Sequence, residues 1–356
     1  MIIYKINKLF YLICVILLLG CKGYKKSSDY KPLPFSEKLS KYKSVTNFES
    51  LFTLVGSTQL DNSRDAILGY TWGACNINNK YIISDPISIK SIKAFSLNGN
   101  FIKRVGKNGN GPDEYISPDL LTSNKNYIAV FDPVQMKLMI YNNKLEFVKA
   151  WKTTYYIEEI TLDNKNQLIV LRKPGFGYNY DMDLYNINGD IEYSFVLPKS
   201  SNEKNRKYLF GGSYKIKAQN DRVYYIGADE YKLVCYNIAK KEIEWISNEL
   251  PSIINIPDIP SNLNSRKRIA WMKKNYTPLR GFYIFKNGLL VIHIPEYFLM
   301  YDNHGNYLTK LKVNDKDKLF YAQNNMLYSL TFPIKNNEDV ILNPKVFIYQ
   351  IISTNL

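Results

Sequence analysis

One hairpin recurs six times along this chain, and no other feature restricts its possible folds as much. It is clearest between Ile92 and Val105: an alternating strand ends at Phe95-Ser96, Asn98-Gly99 tolerates positive φ, and a second alternating strand leaves. The same beat returns at Tyr141, Tyr185, Tyr236, Tyr301 and Tyr349, each aromatic being followed by Asn, Asp or Gln. Successive aromatic positions are separated by 46, 44, 51, 65 and 48 residues. A repeat of that length is the period of a propeller blade, and six copies predict six blades.

Upstream of each aromatic lies a β-rich strand without strict alternation, ending at Asp85, Asp132, Arg172, Gly227, His293 and Thr331. Loss of alternation is expected when both faces of a strand pack against neighbouring blades. A shorter, innermost strand precedes each one, for example Leu120 to Ser123 and Tyr214 to Ala218, separated from it by an Asn/Asp/Lys turn. The expected fold is therefore all-β, a six-bladed β-propeller of four-stranded antiparallel blades. The last repeat stops one strand short, while Glu49 to Gly56 is a strand with no partner at the start. That N-terminal strand is expected to close the ring by completing blade six, which removes a free sheet edge.

Ahead of the repeats stands a targeting segment, residues 1–20. Lys5 and Lys8 form a positive start and Leu9 to Leu19 an apolar run, too short for a membrane span of about 20 residues. The run ends in Leu18-Leu19-Gly20-Cys21, which resembles the bacterial lipobox, and so implies acylation of Cys21 and a membrane partner through its acyl chains. Residues 21–47 are expected as a lipid-anchored tether, since 22–41 are polar with two prolines, and 48–356 as the propeller. Lys22 follows the Cys, where inner-membrane lipoproteins often carry Asp, and no acidic export cluster follows. The expected address is the outer membrane, facing the periplasm.

Composition adds limits. The net charge of +15 raises nucleic acid as a partner, but Lys is scattered through every blade instead of forming a stripe, and no nucleic acid is expected. Only Cys75 and Cys235 lie in the body, on blades expected to face each other across the ring, so both are expected free and buried. With two His and no Cys/His cluster, neither a metal nor another cofactor is expected, and a monomer is the expected state.

Three connections depart from the beat: Gly106 to Tyr115, Arg172 to Asp181, and Ser247 to Arg280. Long loops on a rigid scaffold are the usual seats of function. The first contains Gly109-x-Gly111-Pro112-x-Glu114-Tyr115 after Arg104-Val105-Gly106. That motif resembles the loop of Bacteroidetes six-bladed β-propeller lipoproteins, the TolB-like propeller group, over roughly Phe48 to the C-terminus. Asp113 stands where those loops often carry another Gly. The resemblance implies the propeller fold and the lipid anchor, and no chemistry. Physically, the loop reads either as a clamp ordering the blade junction or as a ligand-binding lip. The third connection carries a basic stretch around Ile269, Trp271 and Met272, expected as a short helix capping one face or lying on anionic lipid.

No nucleophile elbow, phosphate loop or metal-protease motif is present. The leading functional reading is a non-catalytic binding or scaffolding module in the cell envelope, for a glycan, a peptide or an envelope protein. A metal-assisted hydrolase or lyase is the enzymatic alternative, for which Asp85 and Asp132 are only a partial ligand set. The binding candidates are Asp85, Glu114, Tyr115, Asp132, Arg172, Tyr178, Trp271 and His293, expected around one mouth. Mutual pairing of these charges is the structural alternative.

Overall fold

The computed structural model describes residues 40–173, 181–197, 214–227, 231–247, 251–254, 260, 262–314, 318–335 and 341–352. The leader with Cys21, the first part of the expected tether, and Tyr178 lie outside the described residues.

Six four-stranded antiparallel sheets form the blades. Blade one is built of Gly73–Ile77, Lys80–Asp85, Ser91–Ser96 and Phe101–Val105. Blades two to five start at Leu120, Ile157, Tyr214 and Gly281 and repeat the same strand order. Blade six takes Lys318–Gln323, Met326–Thr331 and Lys345–Ile351 from the C-terminal end, and Phe52–Gln59 pairs with Lys345–Ile351 as its fourth strand. The ring closes as expected: the first strand of each blade packs on the first strand of the next, and that of blade six on that of blade one.

The recurrent aromatic has a geometric reason. In all six blades the register of the third and fourth strands slips at that residue, at Phe95, Tyr141, Tyr185, Tyr236, Tyr301 and opposite Tyr349. Such bulges follow from a tight turn whose last residue adopts positive φ. Gly99, Gly189 and Gly305 supply it at +87°, +86° and +82°. The polar residue after the aromatic caps the turn: Asn186 Oδ1 accepts from the amides of Asn188 and Asp190, and Asp302 Oδ1 from those of His304 and Asn306.

Second strands are buried along nearly their whole length, as in Tyr81–Asp85 and Leu290–Ile294. The apolar core is accordingly divided into clusters between blades. One packs Ile82, Ile92 and Val105 of blade one on Val130 and Met139 of blade two; another joins blades three and four. The helix Ser265–Asn275 drops Met272 into that second cluster with Tyr276, while Arg266, Lys267 and Lys274 face outward. It packs a narrow side onto the junction of blades three and four, and its N-cap Asn264 accepts from Lys267 N.

Residues 41–47, expected as the end of the tether, are docked. Tyr42 is buried against Phe285 and Leu289 of blade five, and Asn287 donates to its hydroxyl at 3.2 Å. Asn47 bridges Lys312 of the same blade.

Candidate functional site

Each blade leaves two kinds of loop on one face: the connection from the previous blade and the turn after the second strand. Here that face is called the upper face.

The geometry repeated at the first two blades is a carboxylate clamp. Asp85, fully buried, accepts from the amides of Gly69 (2.7 Å) and Tyr70 (3.0 Å) in the incoming connection, and of Ile87 (3.2 Å) and Ser88 (2.8 Å) in its own turn. Asp132 repeats this with Ile116 and Ser117 on one side and Val134 and Gln135 on the other. A charged acceptor of several amides orders both loops at once. A buried lysine completes each junction. Lys93 donates to the carbonyls of Asp65 and Ile67, and Lys137 to those of Gly111 and Glu114.

The Gly106 to Tyr115 loop is a clamp as well. Lys107–Asn108 pairs in parallel with Glu114–Tyr115, and Glu114 Oε2 accepts from Gly111 N at 2.8 Å. At Gly109, with φ +145°, an added Cβ would stand 2.1 Å from that carboxylate oxygen. Tyr115 is fully buried; its hydroxyl donates to Val105 O (2.9 Å) and accepts from Ile92 N (3.0 Å), tying blade two to blade one. Burial pushes this phenol up to about 12.

Arg172 and His293 are held within their own surroundings. Arg172 makes a two-pronged pair with the buried Asp183, Nε to Oδ2 at 2.9 Å and Nη2 to Oδ1 at 2.7 Å, and covers the Tyr155 ring at 4.3 Å. Tyr155 also donates to Asp183, and burial raises its phenol first, the carboxylate second. His293 is 2% exposed, its Nδ1 lies 3.2 Å from Tyr283 OH, and its ring packs on Phe298 and Phe320. Trp271 is half-buried beside Tyr276. Asp85, Glu114, Tyr115, Asp132, Arg172 and His293 are thus each engaged by partners within the protein at their own junctions.

What does converge lies on the axis. Trp72, 47% exposed, stands at the upper mouth beside Tyr70, which stacks on Phe332 at 5.7 Å with 10° between the planes and lies 6.1 Å from Trp72. Trp72 helps to lower the Asp119 carboxyl, and the clamp of Asp85 on Tyr70 N holds this aromatic platform in place. Below it, Lys215 of blade four pairs with Glu159 of blade three at 2.9 Å, their side chains 18% and 14% exposed. Burial, then the Glu159 charge, raises the Asp119 carboxyl, against the pull of Lys215 and Trp72. Burial works against the charge on Lys215, yet Glu159 holds its pKa above the ordinary value. One turn of the pleat deeper, Lys217 faces Cys75 of blade one across the axis. Burial lowers the Lys217 ammonium and pushes the Cys75 thiol up to about 12.

Tyr70, Trp72, Phe332, Asp119, Glu159, Lys215 and Lys217 were not singled out by sequence reasoning. A signal did exist: Lys215-Ile216-Lys217 alternates charge and apolar on an innermost strand, where the polar positions must face the channel. A second hollow, about 370 Å³, lies at the seam of blades five and six, walled by Phe48, Phe52, Phe320, Lys312 and Tyr349. Aromatic rings form part of its wall, and the exposed Glu49, Thr53, Lys312 and Asn314 form its rim. Among the described residues, no three His, Cys, Asp or Glu side chains gather as a metal site, and no helix is long and apolar enough to cross a membrane.

A family model described as 6-bladed beta-propeller matches residues 38–259. Among solved structures, a Bacteroides fragilis protein described as exported is similar at 17% identity and a TM-score of 0.61, over 87% of this chain and 98% of that one. A duf4221 family member from Bacteroides vulgatus is similar at 13% identity and a TM-score of 0.55, over 85% and 98%. At these identities the likeness concerns the fold alone. No curated protein matches the chain.

Proposed function

The chain belongs to the 6-bladed beta-propeller family, and on that premise we propose that it is a non-catalytic binding propeller whose upper mouth takes a glycan. The observation that carries this reading is the platform of Tyr70, Trp72 and Phe332 set beside Asp119, Glu159 and Lys215. The C–H face of a pyranose is apolar and lies flat on such rings, while its hydroxyls need charged donors and acceptors at the edge. In this reading the protein is a TolB-like envelope lipoprotein, acylated at Cys21 and held on the periplasmic side of the outer membrane, as its lipobox suggests.

Binding is tested on arrays of glycans and of peptides. Glycan binding that falls at least about tenfold in Trp72→Ala, with an unchanged Tm, supports the reading. Binding of peptides alone, or glycan turnover abolished by a chelator, would replace it. The anchor is tested separately: a palmitate analogue should label the wild type and not Cys21→Ala.

A further inference from the structure

The recurrent aromatic of the blades is usually a tyrosine, and its hydroxyl is usually spoken for within the protein. That of Tyr141 donates to Asp113 O at 3.3 Å, that of Tyr185 meets the Tyr155 hydroxyl, and that of Tyr236 donates to Tyr193 OH at 3.5 Å. The hydroxyl of Tyr349, in blade six, makes no hydrogen bond among the described residues, and this half-buried side chain borders the hollow of about 370 Å³ at the seam of blades five and six. Blade six is built differently, because its fourth strand comes from the start of the chain. The segment leading into that strand covers the Tyr349 ring: Phe48 meets it edge to face at 5.2 Å and lies 4.9 Å from Phe52.

The hollow joins an apolar floor to a rim of both charges. Phe52, Val313 and Phe320 are buried, and Phe48 and Tyr349 are half-buried. Above them stand the exposed Glu49 and Lys312. Asn47 bridges Lys312, so Glu49, two residues on, and Lys312 belong to adjoining stretches of chain. They nevertheless form no ion pair, with each other or with another described residue. Burial raises the Tyr349 phenol, and the nearby Glu49 charge raises it further. A carboxylate, an ammonium, ring surface and an unused hydroxyl thus border one cavity.

We infer that this hollow is a binding site for a free aromatic amino acid. Glu49 and the Tyr349 hydroxyl oxygen receive the α-ammonium, Lys312 receives the α-carboxylate, and the side-chain ring lies against Phe48 and Tyr349. A neutral sugar offers no charge to either rim residue, and a fatty acid or a simple cation offers a charge to only one. A zwitterion with an aromatic body uses both, and it fills an apolar floor edged by a few polar groups. The volume suits a small molecule, whose pockets begin near about 300 Å³. The site shares no residue with the platform of Tyr70, Trp72 and Phe332, so it does not rest on the glycan reading.

The test titrates the full chain calorimetrically, at pH 7 in low salt, with L-phenylalanine, its N-acetyl derivative, its amide, and L-leucine. L-Phenylalanine should bind with a Kd at or below about 1 mM, a modest demand for about 12 non-hydrogen atoms. Capping either charge should weaken binding about threefold, the scale of one exposed ion pair, and leucine should bind about two- to tenfold less well for want of ring contact. In Glu49→Gln the penalty for N-acetylation should vanish while that for amidation stays, and Lys312→Met should do the converse. Tyr349→Phe keeps the ring and should still weaken L-phenylalanine binding. If none of the four ligands binds, the site is overturned. Equal binding of L-phenylalanine and leucine, or penalties that survive in folded Glu49→Gln and Lys312→Met, would also overturn it. Tighter binding of a capped derivative would make the occupant a peptide chain and overturn it equally.

Discussion

Gly305 sits flat against the indole of Trp245 in the preceding blade: a Cβ there would stand 2.4 Å from Cζ3, at a φ of +82°. Gly189 lies in the same way against Trp151 of blade two. The glycine of the recurrent hairpin therefore has two jobs, the left-handed turn and the close seating of one blade on the next. Gly305→Ala should cost about 2–4 kcal/mol, combining left-handed strain with overpacking, and urea unfolding measures it. A loss of only a few tenths would mean that the indole simply swings away.

The Asp183 carboxylate is fully buried and depends on Arg172, Tyr155 and Ser194. Arg172→Ala should remove about 3–5 kcal/mol, because a charge is left without its counter-ion in a closed junction. Arg172→Ala together with Asp183→Asn should recover a good part of that. Ligand binding at the mouth should change little in the double variant once folding is restored. Lost binding there would bring Arg172 back as a contact residue.

Cys75 carries a pH signature. Its thiol titrates near 9 in the unfolded chain and is pushed up to about 12 in the fold by burial. Above pH 9 the unfolded state releases the proton first, so the stability present below pH 9 is lost as pH rises toward 12. Relative to Cys75→Ala, the wild type should lose up to about 1.4 kcal/mol per pH unit in that window. A constant difference between the two from pH 8 to 11 would contradict the burial. Cys235, fully buried on the third strand of blade four, should join Cys75 in resisting alkylation until the protein is unfolded.

Closure depends on an outer strand drawn from the start of the chain. A chain beginning at Ser40 should melt like the mature protein. One beginning at Ser57 loses most of the pairing between Phe52–Gln59 and Lys345–Ile351 and exposes an edge, and it should aggregate. Equal melting of the two would show that the last blade holds with three strands.

The sequence alone determined blade number, strand order, the closing strand and the separation of the two thiols. These are consequences of short-range pattern: a turn every 44 to 65 residues, and apolar runs that only a two-sided sheet can bury. It also singled out Asp85, Asp132, Glu114 and Tyr115 as unusual, without telling a clamp from a contact, because that depends on which amides and carbonyls come within reach. Only the closed ring decided the rest. Cys75, Asp119, Glu159 and Lys217 sit on four different blades, and nothing local in any of them encodes the others. Their meeting on the axis is a product of ring closure, which brings one wall of every inner strand together and sets Lys217 within reach of the Glu159 charge.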